Sequence, residues 1–547
     1  GAPGWGAIPV SGGNSACFFS TRHAAGGAPD AGKPGKILIL GGGPNRIGQG
    51  LEFDHGCVNA AAALREAGHA AVLVNCNPAA VSTDAALAGP LYLEPLTTGD
   101  VLEICEREKP RGVIAQFGGQ VAAGVARGLA AAGVALLGTS AEAAAVAGDR
   151  GRFRELLKRL GIPTPEGGEA AGADEAVALA ERLGYPVMAR IADGRGGETA
   201  EVVHDAAMLR ERVGKAGGRP VFLDRFLRDA LECEADALAD GEDVFIPAVM
   251  EHIELAGVHS GDAACVLPPV SLSPERVETM RAHTRAIARE LRVAGLMNVQ
   301  FAAGVEGVFV LKATPRASRT VPLVSKVCGL PLARLAARLA LGAKLADLKL
   351  PAGKTIPRFG VKESVFPFGR FPDVDPVLGP EMRSTGSVLG LSPDFGLAFR
   401  KSQEAAQSPL PSSGAVLISV RERVPQVLEI ARTFAACGFR LKATSGTRRF
   451  LADNGIAADL AVKINEGRPD IADDIRNRLI QLVINTPVDR RGAYVDDSYI
   501  RKAAIRYNVP CMTTLAAAAA AARGVAALRG APDVIGESLQ EYHAGLR

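Results

Sequence analysis

The feature that most constrains this chain is a buried-strand pattern that runs into three consecutive glycines. Residues 36–50 read Lys-Ile-Leu-Ile-Leu-Gly-Gly-Gly-Pro-Asn-Arg-Ile-Gly-Gln-Gly, and an amphipathic segment begins near Gln49. An apolar run of this length bounded by glycines predicts a short buried strand. A glycine turn between a strand and a helix N-terminus presents backbone N–H groups that suit phosphate. The string therefore predicts the opening strand, turn and helix of a layered α/β domain.

Strand and helix patterns alternate from this string to about residue 148. We predict strands over residues 37–40, 71–74 and 112–116 and helices over residues 51–67, 100–108 and 120–132. This alternation is typical of a small doubly wound α/β unit. A dinucleotide-binding domain would need an acidic residue after the second strand, where Asn75 and Asn77 stand instead. The sequence therefore disfavours dinucleotide binding.

Composition narrows the class of protein. The 547 residues are 48% hydrophobic and 22% charged, which indicates a globular chain with several domains. With 62 basic and 59 acidic residues the net charge is only +3, so the positive surplus typical of nucleic-acid binding is missing. Nine cysteines without a Cys-x-x-Cys pair indicate reduced thiols in an intracellular compartment, cytoplasmic or organellar. The alanine run 516–522 is far shorter than the roughly 20 apolar residues of a membrane span. We expect neither a nucleic-acid nor a membrane partner.

A different pattern begins near residue 149. We predict a helix over residues 150–159, a glycine-rich loop over 193–197 and strands over 221–223 and 231–237. Charged and apolar residues alternate from Leu231 to Ala237, which is the period of a half-buried strand. A last α/β domain is predicted from Gly414, and it opens with a strand over residues 415–420.

A series of motifs carries a resemblance to a known family. They include Glu52-Phe53-Asp54, Val74-Asn75-Cys76-Asn77-Pro78, Gln116-Phe117-Gly118-Gly119-Gln120, Met250-Glu251-His252-Ile253-Glu254, Gly257-Val258-His259-Ser260-Gly261-Asp262 and Met297-Asn298-Val299-Gln300-Phe301. In this order and without large gaps, they make the protein resemble the second half of the carbamoyl phosphate synthetase large subunit. The resemblance implies an α/β fold with a doubly wound pre-ATP-grasp domain, an ATP-grasp domain and a C-terminal methylglyoxal-synthase-like domain.

The resemblance also divides the chain into five segments. They are a linker over 1–35, the pre-ATP-grasp domain over 36–147, the ATP-grasp domain over 148–341, a connecting segment over 342–411 and the methylglyoxal-synthase-like regulatory domain over 412–547. The first residue is Gly1 rather than Met, and Phe18-Phe19-Ser20-Thr21 resembles the joint between the two synthetase halves. We therefore expect a piece excised from a longer chain in preference to an N-terminal presequence.

The resemblance implies an ATP site with Mg²⁺ or Mn²⁺. Phosphoryl transfer needs cations around the triphosphate and oxygen ligands for the metal. Arg190 corresponds to a phosphate-contacting arginine and Arg316 and Arg319 to a substrate-side pair, so these three are the predicted catalytic residues. The predicted nucleotide-binding residues are Arg190, Arg225, Leu227, Glu232, Val258, His259, Ser260 and Gln300. Gln300 also corresponds to a metal ligand.

The site departs from the family pattern in its charges. Where the family has Ile-Glu-Val-Asn-Pro, this chain has Leu-Lys-Ala-Thr-Pro, so Lys312 and Thr314 replace the expected metal ligands. Two like unit charges about 4 Å apart repel by about 4 kcal/mol at an intermediate dielectric, and a dication doubles this. Glu198 stands where the family has a phosphate-facing arginine, with Arg195 as an alternative cation, and Arg225 replaces a histidine. We therefore expect an impaired or altered metal site. One alternative is that the lysine mimics the dication, and another is that the sequence is engineered or contains an error.

The C-terminal domain carries polar residues that suit a phosphorylated effector. Glycine and threonine at a strand-to-helix turn supply donors at a helix N-terminus. The predicted effector contacts are Thr444, Thr447, Lys463, Asn485 and Thr486. The family also uses a lysine in the turn after the opening strand, and here that turn offers Arg421 or Arg423 instead.

The resemblance implies an ATP-dependent ligase step, the phosphorylation of carbamate to carbamoyl phosphate, in pyrimidine and arginine biosynthesis. The implied partners are a glutaminase small subunit, the N-terminal synthetase half, fused or separate, and a phosphorylated small-molecule effector. Lys312 and Glu198 favour an alternative, a catalytically weak regulatory or scaffold protein that binds nucleotide and an effector. The intact Gln300, Glu232 and His259 favour the enzyme.

Overall fold

The structure is a computed structural model that describes most of the chain. It describes residues 4–9, 16–21, 35–45, 48, 50–84, 87, 90–192, 198–228, 230–351, 356–464, 466–487, 494–529 and 536–546, with the backbone alone for 4–9, 16–21, 192, 198–199, 255 and 494–497. The chain forms two compact units. The first comprises residues 1–228, 233–249 and 272–355, and the second comprises 229–232, 250–271 and 356–547.

The first unit opens with a doubly wound α/β domain on a six-stranded sheet of order β1-β2-β5-β4-β3-β6. Its elements are β1 (Gly4–Pro9), β2 (Ala16–Thr21), β3 (Lys36–Leu40), α1 (Gly50–Glu66), β4 (Ala70–Asn75), a 3-10 turn (Val81–Thr83), β5 (Leu91–Leu93), α2 (Thr98–Glu108), β6 (Gly112–Ile114) and α3 (Gly119–Ala131). Strands β2, β5, β4, β3 and β6 pair in parallel. Ile37, Leu38, Ile39 and Leu40 are completely buried, because helices cover both faces of a parallel sheet.

Residues 1–35, which we predicted as a linker, contain two of these strands. β1 pairs with β2 in antiparallel fashion and β2 pairs with β5, so residues 4–9 and 16–21 extend one edge of the sheet. Both segments carry aromatic or β-branched residues (Trp5 and Ile8, Phe18 and Phe19), which favour strands. The sequence analysis missed both strands because the region as a whole is rich in glycine, alanine and proline.

The glycine turn after β3 is held by Asn75 at the end of the neighbouring strand. Gly43 has φ +67°, a left-handed conformation that glycine adopts without strain. Its N–H donates to Asn75 Oδ1 at 3.0 Å, and Asn75 Nδ2 donates to Ser82 Oγ at 3.0 Å. Ser82 Oγ donates in turn to the buried Asp54 at 2.7 Å. Asn75, which argues against a dinucleotide site, thus stabilises the turn.

The remainder of the first unit contains two further sheets. The smaller has the order β7-β10-β8-β9, and in the larger β15, β14, β11 and β12 are neighbours in that order. The elements are α4 (Ala141–Gly148), α5 (Arg150–Arg159), β7 (Gly167–Ala170), α6 (Ala173–Leu183), β8 (Val187–Ala192), β9 (Glu198–Val203), α7 (Ala206–Lys215), β10 (Val221–Arg225), β11 (Leu231–Asp240), β12 (Val244–Leu255), α8 (Pro274–Glu290), β14 (Ala294–Gly304), β15 (Gly307–Thr314), α9 (Val321–Cys328) and α10 (Leu332–Ala340). Apolar residues of α6, α7 and the smaller sheet form one core.

Gln116 joins the α/β domain to the larger sheet within the first unit. Its Oε1 accepts the N–H of Leu296 on β14 at 2.9 Å, and its backbone oxygen accepts the N–H of Ala317 at 2.8 Å. Thr139 adds a second link, because its hydroxyl donates to the oxygen of Ala294 and accepts the N–H of Ala294. These contacts fix the α/β domain against the strand that carries Gln300.

The second unit contains the start of β11, the end of β12, residues 356–411 of the connecting segment and the C-terminal domain. Its other elements are β13 (Cys265–Leu267), β16 (Phe359–Val365), a 3-10 turn (Pro367–Arg370), β17 (Gly386–Ser392), α11 (Phe395–Ala405), β18 (Ala415–Ser419), α12 (Pro425–Ala436), β19 (Arg440–Ala443), α13 (Ser445–Asp453), β20 (Asp459–Leu460), α14 (Ile471–Arg476), β21 (Leu482–Asn485), α15 (Tyr494–Arg506), β22 (Cys511–Met512), α16 (Leu515–Leu528) and α17 (Leu539–Gly545). The C-terminal sheet is parallel, in the order β20-β19-β18-β21-β22. One apolar core includes Phe399, Ile418 and Phe434, so the connecting segment packs directly on this domain.

The predicted helices and strands are confirmed, with most ends displaced by only one or two residues. The helix predicted over 150–159 coincides with α5, and the strand predicted over 415–420 ends at Ser419. The glycine-rich loop predicted over 193–197, with Arg195, lies outside the described residues, as does the side chain of Glu198.

Candidate active site and effector site

Three arginines of the first unit surround one buried carboxylate, Asp224 on β10. Arg154 Nη2 lies 2.6 Å from Asp224 Oδ1, and Arg190 Nε and Arg150 Nη1 lie 3.3 and 3.6 Å from Asp224 Oδ2. β8 carries Arg190 beside β10 in the sheet, and α5 carries Arg150 and Arg154 one turn apart. The structure thus places the predicted Arg190 within a strongly cationic group.

Arg150 and Arg154 were missed by the sequence analysis. Their spacing of four residues places them on one face of α5, which is a local signal. Only the fold shows that this face meets Arg190, because Asp224 is 70 residues from Arg154 and 34 from Arg190 in the sequence. Three guanidinium groups around one carboxylate suit an anionic ligand such as a polyphosphate.

Arg225, the next residue, contacts a different partner. Its Nη1 and Nη2 donate to Glu306 Oε1 and Oε2 at 3.1 and 2.5 Å, which closes a two-point ion pair with the β14–β15 turn. Leu227 is half-buried just after β10. The structure therefore gives Arg225 an intramolecular role, and its predicted nucleotide contact stays a prediction.

The predicted metal ligand and its replacements lie side by side on the larger sheet. Gln300 and Asn298 on β14 are paired with Lys312 and Thr314 on β15, so all four share one face. On β11, the buried Glu234 accepts Asn298 Nδ2 at 2.9 Å and Gln300 Nε2 at 3.2 Å. Lys312 is exposed at this face. Lys312, which departs from the family pattern, is thus the cross-strand neighbour of Gln300, which matches that pattern.

On the same face lies a network centred on Asp236, which the sequence analysis did not single out. Its carboxylate accepts hydrogen bonds from Asn298 Nδ2 at 3.0 Å, Ser318 Oγ at 2.8 Å and Thr320 Oγ1 at 2.6 Å. Burial, helped by the charge of Glu234 and opposed by these hydrogen bonds, raises the pKa of Asp236 to about 6. The network holds the sheet face and the start of α9 in one arrangement.

These residues do not fit a divalent cation of the kind the resemblance implies. Mg²⁺ and Mn²⁺ prefer oxygen ligands, chiefly carboxylates. The carboxylate nearest the face, Glu234, accepts two amide N–H groups, and the position opposite Gln300 holds an ammonium group. Among the described residues no group of three or more His, Cys, Asp or Glu side chains is arranged to hold a metal ion.

Arg316 lies where the two domains of the first unit meet. Its guanidinium carbon is 5.7 Å from the centre of the Phe53 ring, and its Nη2 donates to Gln120 Oε1 at 3.3 Å. Its Nη1 donates to the backbone oxygen of Ala317 at 2.8 Å. Burial and then the charge of Arg319 lower the pKa of Arg316 to about 10, so it is still protonated at neutral pH. The predicted arginine pair is therefore close together, and Phe53 and Gln120 hold one member of it.

The other predicted nucleotide residues belong to the second unit. Glu232 is buried, whereas Val258, His259 and Ser260 are half-buried in the loop after β12. The loop is held by its own unit: His259 Nδ1 accepts the N–H of Gly261 at 3.1 Å, and Lys362 Nζ donates to the oxygen of Gly261 at 2.8 Å. Lys362 was not predicted as a functional residue, and it fixes the shape of the loop.

The predicted effector residues meet at the carboxyl edge of the C-terminal sheet, where parallel α/β sheets bind ligands. Thr444 precedes α13, and its hydroxyl donates to Ser419 Oγ at the end of β18 at 3.3 Å. Thr447 Oγ1 donates to the oxygen of Val420 at 3.2 Å, and Thr486 Oγ1 accepts the N–H of Arg421 at 3.1 Å. Asn485 is opposite Ser419 in the β18–β21 register.

Two cations flank this edge. Lys463 follows β20, whose end lies on the same side of the sheet as the end of β19. The Nη2 atom of Arg423 lies 2.5 Å from the point that a Cβ on Gly446 would occupy, so its guanidinium group covers the N-terminus of α13. Of the two arginines offered by the sequence, Arg423 therefore takes the place beside the predicted anion site.

A cavity of about 280 Å³ within the second unit has two buried glutamates in its lining, and neither was predicted. Glu254 Oε2 accepts Thr514 Oγ1 at 3.0 Å, and Glu363 Oε2 accepts Gln403 Nε2 at 2.5 Å. Burial and then the charge of Glu254 raise the pKa of Glu363 to about 7. Both glutamates sit on strands, and no spacing in the sequence signals that they share a cavity.

Comparison with known proteins decides the family. Residues 33–146 match the carbamoyl phosphate synthase preATP-grasp domain, residues 149–348 the ATP binding domain of the carbamoyl-phosphate synthase L chain, and residues 426–513 the MGS-like domain. In Aquifex aeolicus, the C-terminal section of the carbamoyl phosphate synthase large chain is 47% identical over 517 residues, which cover 90% of this chain and 96% of that protein. The chain belongs to the carbamoyl phosphate synthase large-chain family.

Within this family the protein corresponds to the C-terminal section. The carbamoyl phosphate synthase large chain of Archaeoglobus fulgidus is 50% identical over 514 residues, which cover 93% of this chain but 48% of that relative. The chain thus spans about half the length of the full-length relatives that it matches. The predicted fold, with preATP-grasp, ATP-grasp and MGS-like domains, is confirmed.

Solved structures support the ATP-grasp fold. An ADP complex of N5-carboxyaminoimidazole ribonucleotide synthetase has a TM-score of 0.54 at 15% identity and covers 68% of this chain and 96% of its own. The biotin carboxylase domain of Hydrogenobacter thermophilus 2-oxoglutarate carboxylase, solved with MgADP, ADP and bicarbonate, has a TM-score of 0.53 at 17% identity and covers 68% and 89%. At these identities the likeness concerns the fold. In the part of the chain that the structure describes, no helix is long and apolar enough to span a membrane.

Proposed function

We propose that this chain is the half of a carbamoyl phosphate synthase that transfers phosphate from ATP to carbamate. The observation that carries the proposal is the grouping of arginines in the first unit of a chain from this family. Arg150 and Arg190 adjoin Asp224, and Arg316 is held between Phe53 and Gln120. Both ATP and carbamate are anions, and the reaction needs positive charge at each.

The chain's own residues would act by position and charge. Arg190 and Arg150 would neutralise the polyphosphate, and Arg316 with Arg319 would hold the carbamate and the transferred phosphoryl group. Phe53 and Gln120 would fix the direction of Arg316, which limits the motion of the bound anion. No protein nucleophile is required for this transfer.

The same proposal includes an impaired metal site. Lys312 is the cross-strand neighbour of Gln300, and Glu234 accepts hydrogen bonds from two amide groups. A dication would therefore meet one positive charge and few oxygen ligands. We expect nucleotide to bind with little dependence on Mg²⁺ and to turn over slowly. Glu198 at the predicted phosphate-facing position would weaken binding further.

The test is the partial reaction in reverse, the synthesis of ATP from carbamoyl phosphate and ADP. We expect the purified chain to catalyse it weakly but measurably, and Arg316→Ala to abolish it. Arg338→Ala, on the helix α10, is the matched control and should leave the rate within about twofold, since surface changes away from a site have small effects. A rate that is identical in the Arg316 variant would contradict the assignment.

A second candidate function is favoured by the lysine itself. A chain whose metal position is occupied by Lys312 would serve as a nucleotide-binding regulatory or scaffold subunit without turnover. The two candidate functions predict different results when a glutaminase subunit and an N-terminal synthetase half are added to the chain. Product formation from glutamine, bicarbonate and ATP in that mixture, lost with Arg316→Ala, supports the enzyme, whereas its absence supports the regulatory subunit.

We further propose that the C-terminal domain binds a phosphorylated effector at the carboxyl edge of its sheet. Thr444, Thr447 and Thr486 supply hydroxyl groups, and Lys463 and Arg423 supply positive charge. Calorimetry of the full chain with uridine and inosine monophosphate is the measurement. Lys463→Ala should weaken binding about tenfold, as expected for one charge-assisted contact. Arg440→Ala, at the amino end of β19, should not change it.

A further inference from the structure

Asp224 on β10 holds its three arginines unequally. Its Oδ1 atom lies 2.6 Å from Arg154 Nη2, the length of a strong charge-assisted hydrogen bond. Its Oδ2 atom is shared by two arginines at longer distances, 3.3 Å to Arg190 Nε and 3.6 Å to Arg150 Nη1. The longer of these two distances exceeds that of a hydrogen bond. One oxygen of the carboxylate is therefore committed to Arg154, and the other oxygen has two competing partners.

Backbone oxygens fix the direction of Arg154. Its Nη1 donates to the oxygen of Pro165 at 3.2 Å and to the oxygen of Gly167 at 3.1 Å. Both oxygens belong to the chain that leads from α5 into β7, the neighbour of β10 in the smaller sheet. Because a guanidinium group is planar and its donors point in fixed directions, these two contacts aim Nη2 at Asp224. Arg154 thus has three acceptors within the protein.

Gly167 leaves the space that this contact needs. It pairs with Asp224 in the β7–β10 register. A Cβ atom on Gly167 would lie 2.7 Å from Asp224 Oδ1 and 2.2 Å from the backbone oxygen of Leu223, which is closer than side chains pack in proteins. The carboxylate therefore fits between β7 and Arg154 only because residue 167 lacks a side chain.

The group around Asp224 carries more positive than negative charge. Three guanidinium groups surround one carboxylate, and Arg150 is the first residue of α5, where the helix dipole adds partial positive charge. An anion beside Arg150 and Arg190 is therefore favoured, and its oxygens would compete with Asp224 Oδ2 for the same donors. The strength with which Asp224 binds these two arginines thus sets how readily they turn to a ligand.

We propose that Arg154 is a positioning residue that holds Asp224 and so leaves the other two arginines available to the polyphosphate of a nucleotide. The proposal rests on the nucleotide site proposed above and adds to it a residue that does not touch the ligand. Without Arg154 the carboxylate would keep Arg150 and Arg190 as cationic partners and would bind them more closely. The phosphates would then have to displace a stronger internal ion pair, and nucleotide affinity would fall.

The experiment measures the affinity of the full chain for ADP and for adenosine, which has no phosphate. Calorimetry gives the first directly and the second by competition with ADP. Arg154→Gln should weaken ADP binding about tenfold, the effect of one charge-assisted contact, and leave the adenosine affinity within about twofold. Arg154→Lys keeps the charge but has no planar fork to reach Asp224 and two backbone oxygens, so it should restore only part of the ADP affinity.

Arg159→Gln is the matched control on the same helix. Arg159 forms an ion pair with Glu290 at the exposed surface, so its substitution should change neither affinity. Thermal unfolding of each variant identifies any loss of fold.

A double-mutant cycle tests whether Arg154 acts through Asp224. Arg154→Gln should weaken ADP binding by less than about twofold in the Asp224→Asn background, because the amide there forms no ion pair with the arginines. A loss of about tenfold in both backgrounds would mean that Arg154 contacts the phosphates directly, and the positioning role would be overturned. If Asp224→Asn does not fold, Arg154→Lys decides the question: full recovery of ADP affinity by the lysine would overturn the role, and partial recovery supports it.

Further outcomes distinguish this role from the proposed nucleotide site itself. If the natural chain does not bind ADP, or if Arg190→Ala leaves ADP affinity unchanged, the nucleotide site is wrong and the role of Arg154 falls with it. If Arg190→Ala weakens ADP binding but Arg154→Gln does not, the nucleotide site stands and the role of Arg154 is overturned. Equal losses for ADP and adenosine in Arg154→Gln would show a general disturbance of the site and would also overturn it.

Discussion

The candidate ATP region and the candidate effector edge use different chemistry. The ATP region gathers formal charges: arginines around Asp224, a lysine opposite Gln300, and the carboxylates of Glu234 and Asp236 beside Asn298. The effector edge is built chiefly from hydroxyl and amide groups at strand ends, with Arg423 and Lys463 beside it. The first region therefore depends on the balance of charges and the second on the placement of neutral donors.

Because of this difference we expect substitutions to have unequal effects in the two regions. Arg423 stands beside the effector edge, where the resemblance implies a lysine, and conserves the charge, so we expect effector binding to be retained. Lys312 stands where the resemblance implies an acidic metal ligand and reverses the charge, so we expect metal binding to change. Three predictions test the comparison, in order of decreasing effect.

The largest effect is expected from restoring the metal ligands. In Lys312→Glu combined with Thr314→Asn, ADP affinity should become dependent on Mg²⁺ by about a hundredfold, since two oxygen ligands replace a repelling charge. Calorimetry with and without Mg²⁺ measures this. Lys349→Glu, an equal change of charge at an exposed lysine, is the control. Strong Mg²⁺ dependence in the natural sequence would show that the metal site is intact.

The next effect concerns the charge balance around Asp224. Asp224→Asn should lower the free energy of unfolding by about 2–4 kcal/mol, because three partly buried arginines lose their carboxylate partner. The side chain of Asp224 is only 10% exposed, which limits solvation of the unpaired charges. Glu290→Gln, which breaks an exposed ion pair with Arg159, should cost less than about 1 kcal/mol. Denaturant unfolding measures both variants. Equal losses in the free energy of unfolding would contradict the special role of the Asp224 cluster.

The smallest effect is a pH dependence in the second unit. The folded pKa of Glu363 is raised from 4.5 to about 7, so the folded state holds its proton more tightly than the unfolded state. Stability should therefore fall as pH rises from about 4.5 to 7. Glu363→Gln should reduce the loss between pH 5 and 8 by about 2–3 kcal/mol, given about 1.4 kcal/mol for each pKa unit. The exposed Glu429→Gln is the control, and an unchanged slope in Glu363→Gln would refute the assignment.

The sequence by itself determined the family and the type of the elements that have a clear local pattern. The run Ile37 to Leu40, the glycines after it and the alternation from Leu231 are local patterns, and local patterns reflect the periods of strands and helices. Motif strings also singled out Arg190, Arg316, Gln300 and Thr444 as candidates, because these residues belong to short stretches that keep their order. Even the departure at Lys312 is visible in the sequence, since it interrupts such a stretch.

Only the tertiary structure decided which charges and amides meet. Asp224 joins Arg154 across 70 residues, Asp236 joins Thr320 across 84, and Arg501 joins Asp375 across 126. No period or motif links partners so far apart, because their contact follows from the pairing of strands and the packing of helices. The short strands at 4–9 and 16–21 belong to the same class: their place in the sheet depends on β5, whose pairing partner is distant in the sequence. Burial then sets the strength of each contact, since a charge that loses water must be paired within the protein.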